Sequence, residues 1–167
     1  MRSILKTIAV SVAVLALVAA GGYYFITKQS SGGKEIQQVA EKIEERQSQS
    51  TEKAGNKDSR ADMEEREVQI HLHQMTHQKV VDKEKNGAVE MTDENIEGLL
   101  TIVNANKHYY ENGDYYEQTL ISWQQDDFST IVSAHNTVWS WYSGTAGRAT
   151  GRLSAEEEQQ FIEKNFR

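Results

Sequence analysis

Apolar positions recur at different periods along the chain, and each block predicts an element. From Asp127 to Arg152 the chain reads DFSTIVSAHNTVWSWYSGTAGRATGR. Phe128, Ile131, Val132, His135, Val138, Trp139 and Tyr142 fall at the three-and-four spacing of one helix face, with a single histidine at its centre. Asp127 is the expected N-cap, and Ser143 with Gly144 the expected stop. Further upstream, Met63 to Val81 carries two signals. V-Q-I-H-L-H alternates with period two, while ADMEERE and QMTHQKVVDKE favour helix, and the length of the block predicts a helix through Val81. Met63, Ile70, His73, His77, Val80 and Val81 share one arc of its wheel. Val68, His71, Leu72 and Met75 share another, so the helix is expected between two neighbours.

Lys85-Asn86-Gly87 reads as a turn, and Thr92 caps a helix whose Ile96, Leu99, Leu100 and Val103 form an apolar face. Tyr116, Leu120 and Trp123 define a shorter helix ending before Asp126-Asp127. Ser154 and Glu157 form a capping box for a last helix, with Phe161, Ile162 and Phe166 as its buried side. The fold class is therefore all-α, a small bundle of about five helices in residues 60–167.

The first sixty residues follow other rules. Arg2 and Lys6 precede an uncharged run, TIAVSVAVLALVAAGGYYFI, over residues 7–26. At about 1.5 Å per residue its length reaches about 30 Å, enough for one transmembrane helix. Val18-Ala19-Ala20 would also suit a signal-peptidase site and a secreted product. The run continues past it through Tyr23, Tyr24, Phe25 and Ile26, which favours an uncleaved anchor. Basic residues then place residues 1–6 in the cytoplasm and the C-terminal domain outside the cell membrane. Residues 27–59 read as a polar stalk and linker. Within it, Ile36, Val39, Ala40 and Ile43 keep a short helical seam, too short for a coiled coil.

Composition narrows the function classes. The net charge of -7 and the lack of a basic stripe exclude a nucleic-acid partner. The chain contains no cysteine, which removes thiol catalysis, disulfides and thiolate-bound zinc together. It contains no proline, as suits a domain built mainly of helices.

His73 and His77 are spaced i, i+4, so two imidazoles share one helix face, the spacing of helical zinc sites. Gln74, Met75 and Thr76 lie between them, without the glutamate base of a zinc protease. His71 is offset by about 160° from His73 on a continuous helix and stays apart. A metal site therefore needs His135, His108 or a carboxylate from another element, and the metal candidates are His73, His77 and His135. His135, beside Asn136, otherwise reads as a hydrogen-bonded core histidine.

Gly144 to Arg152 is rich in glycine and ends at a capped helix. With Arg148 and Arg152 it is a candidate anion site, or else a tight turn between helices. It lacks the GKS or GKT of a nucleotide-binding loop, and no strand is expected before it. Trp141 falls off the apolar stripe, where an exposed aromatic marks a binding surface. The candidate ligand-binding set is His135, Asn136, Trp141, Arg148 and Arg152.

The motifs MTHQKV (Met75 to Val80), MTDENI (Met91 to Ile96), DFS (Asp127 to Ser129), HNxxW (His135 to Trp139) and GTAGRATG (Gly144 to Gly151) occur in this order. Together they resemble a family of small membrane-anchored proteins of bacilli and related Firmicutes that carry a domain of unknown function. The resemblance runs from about Val68 to Phe166, and departs after Lys85, where Asn86 stands in place of an expected tryptophan. It implies a location and domain limits and supplies no catalytic residues.

No complete catalytic set is present, which points away from an enzyme and assigns no catalytic residue or obligatory cofactor. The expectation is a single-pass membrane protein whose outer helical domain binds an envelope protein or peptide. The alternatives are a metal-dependent hydrolase built on the histidines, with zinc as the candidate ion, and a structural or immunity-type membrane protein.

Overall fold

The computed structural model describes residues 31–49, 62–141 and 147–167. The expected span at 7–26 and the helix stop at Ser143 and Gly144 lie outside these residues. Among the described residues, no helix is long and apolar enough to cross a membrane.

Six α-helices and one short ladder make up the described chain: α1 (Ser31–Gln49), α2 (Glu65–Thr76), β1 (Val80–Val81), α3 (Asp93–Asn106), a 3-10 turn (Lys107–Tyr109), α4 (Gly113–Gln124), α5 (Ile131–Trp141), β2 (Gly151–Arg152) and α6 (Ala155–Phe166). The protein is mostly helical, in line with the all-α expectation. Helix starts follow the capping residues. Thr92 Oγ1 accepts the Asn95 N–H at 3.2 Å to open α3. At α6, Ser154 Oγ accepts the Glu157 N–H while the Glu157 carboxylate accepts the Ser154 N–H at 2.8 Å.

Residues 31–49, which the sequence assigns to stalk and linker, form a helix of the packed core. Ile36, Ala40 and Ile43 are buried along α1, and α1 packs on α3. The partner of the seam is another helix of the same chain. Gly98 of α3 permits the approach: a Cβ there would meet Ile36 Cγ2 at 2.9 Å. Helix α3 packs in turn on α4, and α2 packs on α5. Leu72, Met75, Leu99, Ile102, Leu120, Trp123, Ile131 and Val138 belong to the one core these pairs enclose.

Four elements depart from the sequence expectation, each for a local reason. Helix α2 stops at Thr76, not Val81. Its last turn tightens as the His77 N–H reaches Gln74 O and the Lys79 N–H reaches Thr76 O, after which β-branched Val80 and Val81 extend. These two residues pair antiparallel with β2, Val80 opposite Arg152 and Val81 opposite Gly151. Helix α5 begins at Ile131, because Asp127 Oδ1 accepts the Ser129 N–H in a local turn and so caps the approach to the helix. In α6, Phe161, Ile162 and Phe166 are only half-buried. That helix lies on the surface, tied by Glu158, which accepts hydrogen bonds from Lys79 Nζ at 2.6 Å and Gln78 Nε2 at 3.1 Å.

Candidate metal centre

His73 lies in the last turn of α2 and His77 is its C-cap residue, so the i, i+4 spacing brings the two rings within 4.9 Å, edge to face. Helix α5 crosses the same face and delivers His135, its ring centroid 4.1 Å from His73 and 5.6 Å from His77. Each ring offers one nitrogen, and the three nitrogens lie within 4.8 Å of one another. Tetrahedral zinc with bonds of about 2.0 Å needs nitrogens about 3.3 Å apart, a gap that small side-chain rotations close. His77 is 1% exposed and His135 is fully buried, while His73 is half-buried.

A hydrogen bond fixes how the His77 ring presents its lone pair. His77 Nδ1 lies 2.7 Å from Gly87 O. A carbonyl only accepts, so Nδ1 carries the proton and Nε2 keeps the lone pair. That Nε2 is buried without a hydrogen-bond partner, as is Nδ1 of His73. His135 Nδ1 lies 2.8 Å from Thr76 Oγ1, whose hydroxyl donates to His73 O at 2.6 Å. The Thr76 hydroxyl has one proton for two acceptors, so the role of His135 Nδ1 depends on the tautomer of the ring.

His135 Nε2 then faces two oxygens, Gly147 O at 2.9 Å and Asp82 Oδ2 at 3.6 Å. Asp82 follows β1. Its Oδ1 accepts the Glu84 N–H at 2.9 Å, while Oδ2 is buried without a hydrogen-bond partner. Gly147 closes over this carboxylate with φ at +81°, and a Cβ there would stand 3.3 Å from Asp82 Oδ2. The carbonyl only accepts, so the neutral ring donates its Nε2–H to Gly147 O, with Asp82 Oδ2 beside the pair.

Burial disfavours the protons. It pushes His77 down to about 3, with the neighbouring His73 adding to the effect. It pushes His73 down to about 4, helped by His135. His135 also lies below the ordinary imidazole value; burial lowers it more than the Gly147 carbonyl and Asp82 raise it. At neutral pH the cluster is therefore a set of uncharged imidazoles beside a carboxylate, which is the donor set a divalent ion takes.

The chain belongs to a family of unknown function, DUF6241. The family model matches residues 72–163, a span that includes His73, His77, Asp82, His135 and Gly147. Helix α1 lies outside it. No curated protein and no solved structure matches the chain.

Other candidates from the sequence have separate places. Asn136 donates from Nδ2 to Ala149 O at 3.0 Å and accepts the Ala149 N–H on Oδ1 at 2.9 Å, so it holds the strand-forming segment. Trp141, expected on an open surface, is half-buried with its ring against Tyr115 and Tyr116 at 5.4 and 5.8 Å. Arg148 and Arg152 are exposed on the segment that Asn136 holds. His108 is exposed and stacked on Tyr109, outside the cluster. His71 is buried on another side of α2, 3.4 Å from Glu35 of α1. The residues that sequence reasoning missed are Thr76, Asp82 and Gly87, which lie against His135 or His77. Their only sequence signal is nearness to His77.

Proposed function

We propose that this domain binds a divalent metal ion of the zinc class through His73, His77 and His135, and that residues 7–26 hold it at the cell membrane with the domain outside. The observation that carries the metal reading is the convergence of three imidazole nitrogens from α2 and α5, with His77 fixed in tautomer by Gly87 O. A carbonyl or hydroxyl partner on the far nitrogen is how metal-ligating histidines are held in orientation. Two buried ring nitrogens without any other partner, His73 Nδ1 and His77 Nε2, give the residues a reason to be there.

Imidazole donors without thiolate suit zinc, cobalt and nickel. The reading of an envelope-protein binder has less to stand on, since Trp141, its aromatic anchor, packs on Tyr115 and Tyr116. Equilibrium dialysis of the full-length chain in detergent against zinc tests the proposal. One zinc per wild-type chain and none in His77→Ala is the expected result. No zinc on the folded wild-type chain would overturn it.

A further inference from the structure

A metal held by three histidines in this cluster needs a fourth ligand or a water, and the choice decides what the centre is for. Asp82 supplies an answer that the histidine spacing does not contain. Its side chain is 1% exposed, and its Oδ2 points at His135 Nε2 from 3.6 Å with no hydrogen bond of its own. The other oxygen, Oδ1, is held by the Glu84 N–H at 2.9 Å, which fixes the plane of the carboxylate. A buried carboxylate oxygen left without a donor is costly unless a positive charge answers it. The Lys85 ammonium stands over the Phe161 ring, 4.7 Å from its centroid, and attracts Asp82 without a close ion pair among the described residues. Oδ2 itself faces the ring of His135, whose centroid lies 4.1 Å from that of His73 and 5.6 Å from that of His77.

We infer that Asp82 is the fourth ligand of the metal held by His73, His77 and His135, so that the centre is a closed three-histidine, one-aspartate site. The inference rests on the metal reading above and adds to it the ligand count, the charge and the role. Four protein ligands in a buried tetrahedral set leave no position for a reactive water, which separates a structural centre from a hydrolytic one. The donors come from the last turn of α2, its C-cap, the stretch after β1, and α5. One ion therefore joins the packed α2–α5 pair to the stretch after β1, which the two-residue ladder also holds. The ion is a clasp: it fixes the Lys79 to Gly87 stretch against the α2–α5 pair. Gly147 belongs to the same design, because its lack of a side chain lets the backbone close over Asp82.

Cobalt substitution in the full-length chain, in detergent, tests the fourth ligand. Wild-type protein loaded with Co2+ is expected to show the intense visible bands of four-coordinate cobalt. Asp82→Asn is expected to bind Co2+ about 100-fold more weakly or worse, with weakened bands. The chain has no native cysteine, so Asp82→Cys gives a second reading that a merely positioning residue would not move. A thiolate-to-cobalt charge-transfer band in that variant places position 82 on the metal. Wild-type binding with His77→Ala dead, Asp82→Asn unchanged in affinity and spectrum, and no charge-transfer band in Asp82→Cys would overturn Asp82 as a ligand while leaving the histidine site standing. Absence of Co2+ and Zn2+ binding by the wild type would instead remove the histidine site, and this inference with it.

Discussion

Asn136 grips both backbone polar groups of Ala149, accepting its N–H at 2.9 Å and donating to its C=O at 3.0 Å. Ala149 is 2% exposed, so water does not replace either bond. The pair fixes the Gly147–Arg152 stretch on α5, one residue away from His135 along the helix. Asn136→Ala leaves a buried N–H and C=O unmatched and is expected to cost about 2 kcal/mol. Urea unfolding measures it, and an unchanged midpoint would show that the segment is held by other contacts.

Gly147 tests the closure over Asp82. Its φ of +81° and the 3.1 Å distance from a would-be Cβ to Glu84 O leave no relaxed place for a side chain. Gly147→Ala is expected to destabilise by about 1 to 2 kcal/mol and to weaken zinc binding together with stability. Thermal unfolding and zinc titration on the same sample measure both. A variant with wild-type values in each would mean that the backbone there is free to move aside.

Helix α1 is the part of the fold on which sequence and structure differ most. Ile36 is fully buried against α3, close to Gly98. Truncation by Ile36→Ala removes a core side chain, with an expected loss of about 2 to 5 kcal/mol. If residues 31–49 acted only as a stalk, chemical unfolding of the variant would coincide with that of the wild type.

Glu65 gives stability a pH dependence. Burial works to raise its pKa, but hydrogen bonds from the Tyr116 hydroxyl at 2.6 Å and the Glu111 and Asn112 N–H groups, each at 2.9 Å, together lower it below the ordinary carboxyl value. Its stabilisation is full above the unfolded pKa of about 4.3 and is lost as pH falls through the folded value. Wild type is therefore expected to exceed Glu65→Gln by about 1 kcal/mol at neutral pH, with the gap closing in acid. A gap that stays constant between neutral pH and about pH 3 would contradict the assignment.

What the sequence made legible, and what it did not, divides along physical lines. Capping is local chemistry, so Thr92, Ser154 and Glu157 announce their helices from a few residues. The i, i+4 spacing of His73 and His77 and the place of His135 on an apolar stripe are likewise local, which is why the sequence alone makes all three candidates. Asp82 was not, because it reaches the cluster only after α2 stops at Thr76 and the chain doubles back through β1. A two-residue ladder has no period to detect, and read as helix, Val80 and Val81 send Asp82 elsewhere. The place of helix α1 is not legible because its seam shows that something packs on it without showing what. Trp141 left the helix stripe only to find Tyr115 and Tyr116, a contact that depends on where α4 lies.

The central claim is that a metal ion completes the His73, His77 and His135 cluster, and thermal unfolding of the full-length chain with zinc or with chelator tests it most directly. An ion present at about 100 times its dissociation constant adds about 2.7 kcal/mol, so the zinc form is expected to melt about 10 °C above the chelated form. The difference should vanish in His77→Ala. Coincident melting curves for the zinc and chelated wild-type protein, with no metal retained, would contradict the account.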